Sequence, residues 1–331
     1  MNPALRSACS LLGFLVFGLG SSSCVLEGDL IDYWSEVMPA CDYLIEGGTP
    51  LDVSEKARSK TTLRPECREA LELALPLDES LDLAPPGMKD RVLEAFQILA
   101  AYPLALPPEG RILEVAPASI PAAQLCMLGA PECPAQHRPS SGAWEAGNYR
   151  KNLFNLVANS FDLIGYDPDG AGDLSARNDF ELGAGLNGRS LWIHSLFWSE
   201  DAVSELTTGP FGRAAILVHE AAHSGGVMHT HCGTSEGFAC DADLGGAHGF
   251  SIVYRTLLLR GSGDLQLESG AYVLSKLDLM NLGLQNCRLL KERIDVLPPG
   301  LEALVTESGC QGIGARWIVE REDLERDDFA D

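Results

Sequence analysis

Eleven consecutive residues constrain this chain more than any others: His219-Glu220-Ala221-Ala222-His223-Ser224-Gly225-Gly226-Val227-Met228-His229. The preceding segment, Phe211 to Val218, places apolar residues at helical spacing (Phe211, Ala215, Val218, then Ala222) and has no breaker after Gly212. The spacing predicts a helix on which His219 and His223, four apart, lie one turn above the other on the same face. Two imidazoles so placed suit one Zn²⁺, with Glu220 beside them as a candidate base. Gly225 and Gly226 are expected to end the helix in the left-handed conformation that glycine accepts, returning His229 toward the ion. Three neutral nitrogens leave a fourth position for water, the arrangement of catalytic rather than structural zinc sites.

All fixed positions of the stretch resemble the zinc signature of the metzincin metallopeptidases, His-Glu-x-x-His-x-x-Gly-x-x-His. The resemblance covers those residues alone. It implies an α+β, zincin-like fold, zinc held by His219, His223 and His229, and Glu220 as general base. The following stretch, Cys232 to Tyr254, also resembles uncharacterised secreted bacterial proteins that carry His-Glu-x-x-His, a Cys-Asp pair and a Gly-Ala-Tyr-Gly-like turn. Here that turn is Gly246-Ala247-His248-Gly249, so His248 stands where Tyr is expected. His248 becomes a candidate catalytic residue, donating to a developing oxyanion; the alternative is a residue in the first turn of a helix. The third ligand stays open among His229, His231, and Asp241 or Asp243, because Asp243 with His248-Gly249 also resembles the aspzincin pattern. If His229 is the ligand, Asp241 or Asp243 is expected to accept an imidazole N–H behind it. Met280 is the only downstream candidate for a metzincin methionine turn, but Leu277 to Leu282 reads as an amphipathic helix.

Composition bounds the partners and the compartment. With 47 acidic and 24 basic residues the formal net charge is −23. The chain has no basic patch, so nucleic acid is not expected as a partner. Residues 1–23 read as a lipoprotein-type signal peptide: Arg6, an apolar run from Leu11 to Leu19, then Ser21-Ser22-Ser23 before Cys24. A lipid on Cys24 is the expected membrane attachment, as no segment reaches spanning length. Exported, the protein is expected in the cell envelope, in the outer membrane or periplasm, or secreted. Of ten cysteines, setting aside Cys9 and Cys24 leaves eight, an even number suited to disulfides in an oxidising compartment.

Residues 24–140 read as a mainly helical N-terminal region. Helices are predicted over Arg64 to Leu75 and Met88 to Ala101, punctuated by Pro85-Pro86 and Pro107-Pro108. Cys126 and Cys133 are expected to close a tight loop; the alternatives are a cysteine pair in a metal site, although the spacing is wrong for a zinc knuckle, and an inhibitory pro-segment cysteine that ligates the zinc. Residues 141–331 read as the zincin-like metallopeptidase domain. It is expected to open with a helix over Tyr149 to Ile164 that packs beside the metal-binding helix. Asp167 to Asp173 alternates carboxylates with glycines, but Asn178 stands where a calcium loop needs Glu, so a solvated acidic turn is favoured. Arg189 to Trp198 predicts a strand, and the zincin resemblance implies that it is the sheet edge aligning an extended peptide. His194 within it reads as a packed or exposed side chain. Helices are predicted over Gly249 to Leu259 and Gly270 to Leu284. Cys232–Cys240 and Cys287–Cys310 are the expected later pairs. The sequence thus predicts an exported zinc peptidase acting on a peptide or protein substrate. The rival is a non-catalytic, zinc-containing cell-surface binding protein.

Overall fold

The computed structural model describes residues 31–41, 63–102, 104, 122–127, 129–130, 133–137, 144–168, 176–180, 189–194, 209–225, 227, 229, 240–268 and 276–297. In chain order the helices are α1 (Tyr33–Cys41), α2 (Pro65–Ala74), α3 (Ser80–Leu83), α4 (Met88–Ala101), α5 (Ala122–Met127) and α6 (Tyr149–Asn159). Three strands follow, β1 (Leu163–Tyr166), β2 (Ala176–Phe180) and β3 (Arg189–Ile193). Then come α7 (Gly209–Ser224), α8 (Ala247–Glu268) and α9 (Lys276–Arg293). The signal-peptide reading with Cys9 and Cys24, residues 169–175 of the acidic turn, His231, Cys232, Cys310 and the charged tail lie outside the described residues. No helix among the described residues is long and apolar enough to cross a membrane.

Local signals explain the helix boundaries. Pro65 opens α2, where its missing N–H costs nothing. Gly87, at φ 87°, turns the chain out of Pro85-Pro86 into α4. The Asn148 side chain caps α6 by accepting the Lys151 N–H. The helix predicted over Tyr149 to Ile164 stops at Asn159, and Leu163 and Ile164 belong instead to β1. β-Branched Ile164, fully buried, pairs with Leu191 of β3.

The sheet order is β1-β3-β2, with β1 parallel and β2 antiparallel to β3. This corrects the expected edge role of the Arg189 strand. Leu191 and Trp192 pair on one side with Ile164 and Gly165 and on the other with Asn178 and Arg177. The strand is central, with both its hydrogen-bonding edges engaged. Part of β1's outer edge is taken as well, by Ile164 N–H to the Pro76 carbonyl and Asp78 N–H to the Ile164 carbonyl. Asn178 sits inside β2, opposite Leu191.

One continuous apolar core runs from Tyr33 and Trp34 in α1 to Ile294 after α9. It draws on both stretches that the sequence divides near residue 140. α4 is buried on nearly every side, as expected of a helix at the centre of a fold. Phe96 on α4 meets Phe154 on α6 edge-on, and Phe154 meets Trp34 in the same way. α7 packs against α4, α8 and β2, with weaker contact to α6. Between α4 and α7, Arg213 Nη2 donates to Glu94 Oε2 at 3.0 Å, and the Arg213 side chain is fully buried. Cys41–Cys67 ties α1 to α2, and Cys126–Cys133 closes the expected short loop. With those two sulfurs joined to each other, neither is available as a metal ligand. Cys240 and Cys287 are also disulfide-bonded. Such oxidation is compatible with an exported protein.

Candidate metal centre

The metal-binding stretch begins on the last turn of α7, where helical spacing stacks His219 and His223 on one face. The helix exit differs from the sequence expectation. Gly225 is not among the glycines with positive φ. The chain turns through Gly225 N–H to the Ala221 carbonyl and Val227 N–H to the Ala222 carbonyl, which engage carbonyls the ending helix would otherwise leave unpaired. Gly226 lies outside the described residues. The exit nonetheless brings His229 back to the helix end.

Nitrogen atoms of His219, His223 and His229 all lie within 4.8 Å of one another, a group able to hold a metal ion. His223 Nε2 is 3.2 Å from His219 Nε2 and 3.1 Å from His229 Nε2. Two nitrogens roughly 2.05 Å from one tetrahedral zinc sit about 3.3 Å apart, so the spacing fits a shared ion.

Hydrogen bonding on the far side of the rings sharpens this fit. His223 Nδ1 is 2.7 Å from the Val227 carbonyl oxygen, which only accepts, so that nitrogen carries a proton. His229 Nδ1 is 2.8 Å from Asp241 Oδ1, and the same argument applies. In neutral rings both Nε2 atoms are then bare lone pairs facing each other at 3.1 Å. That juxtaposition is repulsive in the absence of a cation. Burial, reinforced by the neighbouring His248, His223, His229 and Arg255, pushes His219 well below the ordinary histidine range. Burial also lowers His223, despite the opposing Val227 hydrogen bond. Both shifts favour the neutral imidazole that ligates metals.

Two other polar groups complete the centre. Glu220, next to His219 on α7, is only 7% exposed, and burial pushes its carboxyl up to about 8. The His248 ring lies 4.7 Å from the His219 ring and 4.5 Å from the His229 ring, centroid to centroid. His248 occupies the first turn of α8, and its N–H donates to Asp241 Oδ2 at 2.7 Å.

The remaining candidates separate clearly. Asp241 is fully buried and faces the outer nitrogen of His229 rather than joining the ligand group. Asp243 is exposed and accepts from Gly245 N–H at 2.7 Å. His194 is buried at the end of β3 with Nδ1 3.9 Å from Asp167 Oδ2, and is not part of the ligand group. Met280 lies within α9, matching its amphipathic pattern and not a turn. Sequence reasoning missed the Val227 carbonyl, for which no side-chain signal exists. It also missed Arg255, a fully buried cation on α8 that bears on His219 and bonds Ser251 Oγ through Nη1. A lone Arg inside the apolar run Phe250 to Leu258 was the available hint. A further missed contact is Gln124 on α5, whose Nε2 donates to the Leu244 carbonyl in the segment leading into α8. No family profile, curated protein or solved structure matches this chain.

Proposed function

We propose that the protein is an exported zinc-dependent peptidase. The observation carrying the proposal is the convergence of three imidazoles, with His223 Nε2 3.2 Å from His219 Nε2 and 3.1 Å from His229 Nε2, and with the outer nitrogens of His223 and His229 engaged by acceptors. His219, His223 and His229 would hold the ion. When bound, zinc supplies Lewis acidity toward a water molecule and a substrate carbonyl. Glu220, directly beside His219, takes a proton from that water and delivers it to the departing amine. Burial of Glu220 raises its basicity, which suits this proton transfer near neutral pH. His248 donates to the oxygen on which negative charge builds. The antiparallel strand β2, which touches α7, offers the hydrogen-bonding direction along which an extended peptide would align.

Replacing Glu220 by Gln tests the assignment: zinc content should be retained and peptide hydrolysis should fall by at least about a hundredfold. Undiminished hydrolysis overturns Glu220 as base. A second reading, a non-catalytic zinc-containing binding protein, is favoured by the closeness of the His248 ring. X-ray absorption of the zinc-loaded protein separates the two: three imidazoles and an oxygen support the peptidase, and four imidazoles support the binder. The proposal places the protein at the cell envelope through a lipid on Cys24 or free in the exterior. Cys24→Ser should shift it from the membrane fraction to the soluble exported fraction, and an unchanged distribution removes the anchor.

A further inference from the structure

Asp241 is a fully buried carboxylate, and both of its oxygens are engaged. Oδ1 faces His229 Nδ1 at 2.8 Å, and Oδ2 accepts the His248 N–H at 2.7 Å. Its backbone is pinned independently. Asp241 N–H donates to the Arg293 carbonyl, the Asp241 carbonyl accepts from Asp295 N–H, and Ala242 accepts from Val296 N–H. Gly246 completes the setting, because a Cβ there would overlap the Asp241 carboxylate. The adjoining Cys240 is disulfide-bonded.

We propose that Asp241 is a positioning residue that holds His229 and His248 as one unit, through a single carboxylate accepting from the ring of the first and the backbone of the second. The inference rests on the metal-centre reading but not on peptide hydrolysis. Its chemistry is specific to a carboxylate. Both partners present N–H groups, so two acceptor oxygens are required at one position. With Oδ1 occupied, His229 keeps its proton on Nδ1 and turns a bare Nε2 toward His223. With Oδ2 occupied, the start of α8 is fixed and the His248 ring is set 4.5 Å from the His229 ring. Neither oxygen is free to serve as a metal ligand itself, which assigns Asp241 a place behind the third imidazole.

An amide substitution breaks this arrangement in a way that can be read. An asparagine at this position would offer one oxygen where two acceptors are needed. In Asp241→Asn, either the amide NH₂ turns toward His229 and moves its proton to Nε2, or the His248 N–H loses its partner. The test is long-range ¹H–¹⁵N correlation of the imidazoles in metal-free, ¹⁵N-histidine-labelled full-length protein, with zinc affinity measured by chelator competition. Wild type should show His229 protonated on Nδ1. Asp241→Asn should show the Nε2-protonated form or faster hydrogen exchange at the His248 amide, and zinc affinity should drop about 10–100-fold. Asp243→Asn, at an exposed position, should leave tautomer and affinity unchanged. A wild-type His229 protonated on Nε2 overturns the proposal, and that measurement needs no variant to fold. So does an Asp241→Asn protein with native tautomer, native exchange and native affinity. Zinc binding without any peptide cleavage would instead sink the peptidase reading and leave Asp241 in place.

Discussion

Glu220 carries a proton that its surroundings impose. Burial raises its carboxyl from the usual 4.5 to about 8, so between those values the metal-free folded chain holds a proton that the unfolded chain has released. The stability that Glu220 contributes therefore falls as pH rises through that window and levels off above about 8, whereas the lowered His219 and His223 contribute stability that grows as pH rises toward the ordinary histidine value. In thermal melts of the metal-free proteins from pH 5 to 9, wild type should lose stability relative to Glu220→Gln, because the histidine contribution is common to both. Parallel profiles would mean that Glu220 is ionised in the folded protein throughout. A nearby cation favours the carboxylate, so zinc loading is expected to reduce the slope of the wild type. The same pairing of burial and a neighbouring metal position suits the residue to proton transfer.

Among the elements, α7 carries the ligands and owes its place to α4. The two helices pack against each other, and Phe211 of α7 stacks edge-on with Tyr102 just after α4. Across the same interface runs the Arg213–Glu94 pair, with Arg213 fully buried and Glu94 nearly so. Removing one member of such a pair deprives a buried charge of this partner, at a cost of about 3–5 kcal/mol. Replacing both by apolar residues of similar volume costs far less. Chemical denaturation should thus find Glu94→Leu strongly destabilised and Glu94→Leu/Arg213→Met closer to wild type. Additive losses in the double variant would contradict the account of this interface. This pair also marks a limit of sequence reading. Its members are 119 residues apart, and nothing in either local pattern points to the other. The ligand histidines were legible for the opposite reason: two share one helix face, and the third follows within a short turn. The strand at Arg189 was legible from its residues, but its central position was not. β2, which covers it, reads Ala-Arg-Asn-Asp-Phe and lacks the apolar alternation that announces a strand. Asp241 stands between these cases. Its carboxylate was a visible candidate, and only the pairing of its backbone with the chain after α9 shows which way it faces.

Taken as a whole, the molecule gathers the histidines able to hold a metal where segments distant in sequence meet. α7 delivers His219 and His223, the turn after it delivers His229, and the start of α8 delivers His248. The chain beyond α9 anchors Asp241, and Gln124 from α5 holds Leu244. The single core running from α1 to Ile294 draws on the N-terminal helices as well as on the elements that carry this centre. Disulfides at Cys41–Cys67 and Cys126–Cys133 reinforce that same half of the molecule. An acidic chain of net charge −23 gains solubility from its surface, while the centre itself gathers imidazoles beside two buried acids, Glu220 and Asp241. The most direct measurement is the zinc stoichiometry of purified, chelator-stripped protein on titration with zinc, alongside His219→Ala and His223→Ala. The account predicts one tightly held zinc per wild-type chain and loss of that site in both variants. Wild-type protein that takes up no zinc, or variants that bind it as tightly as wild type, would contradict it.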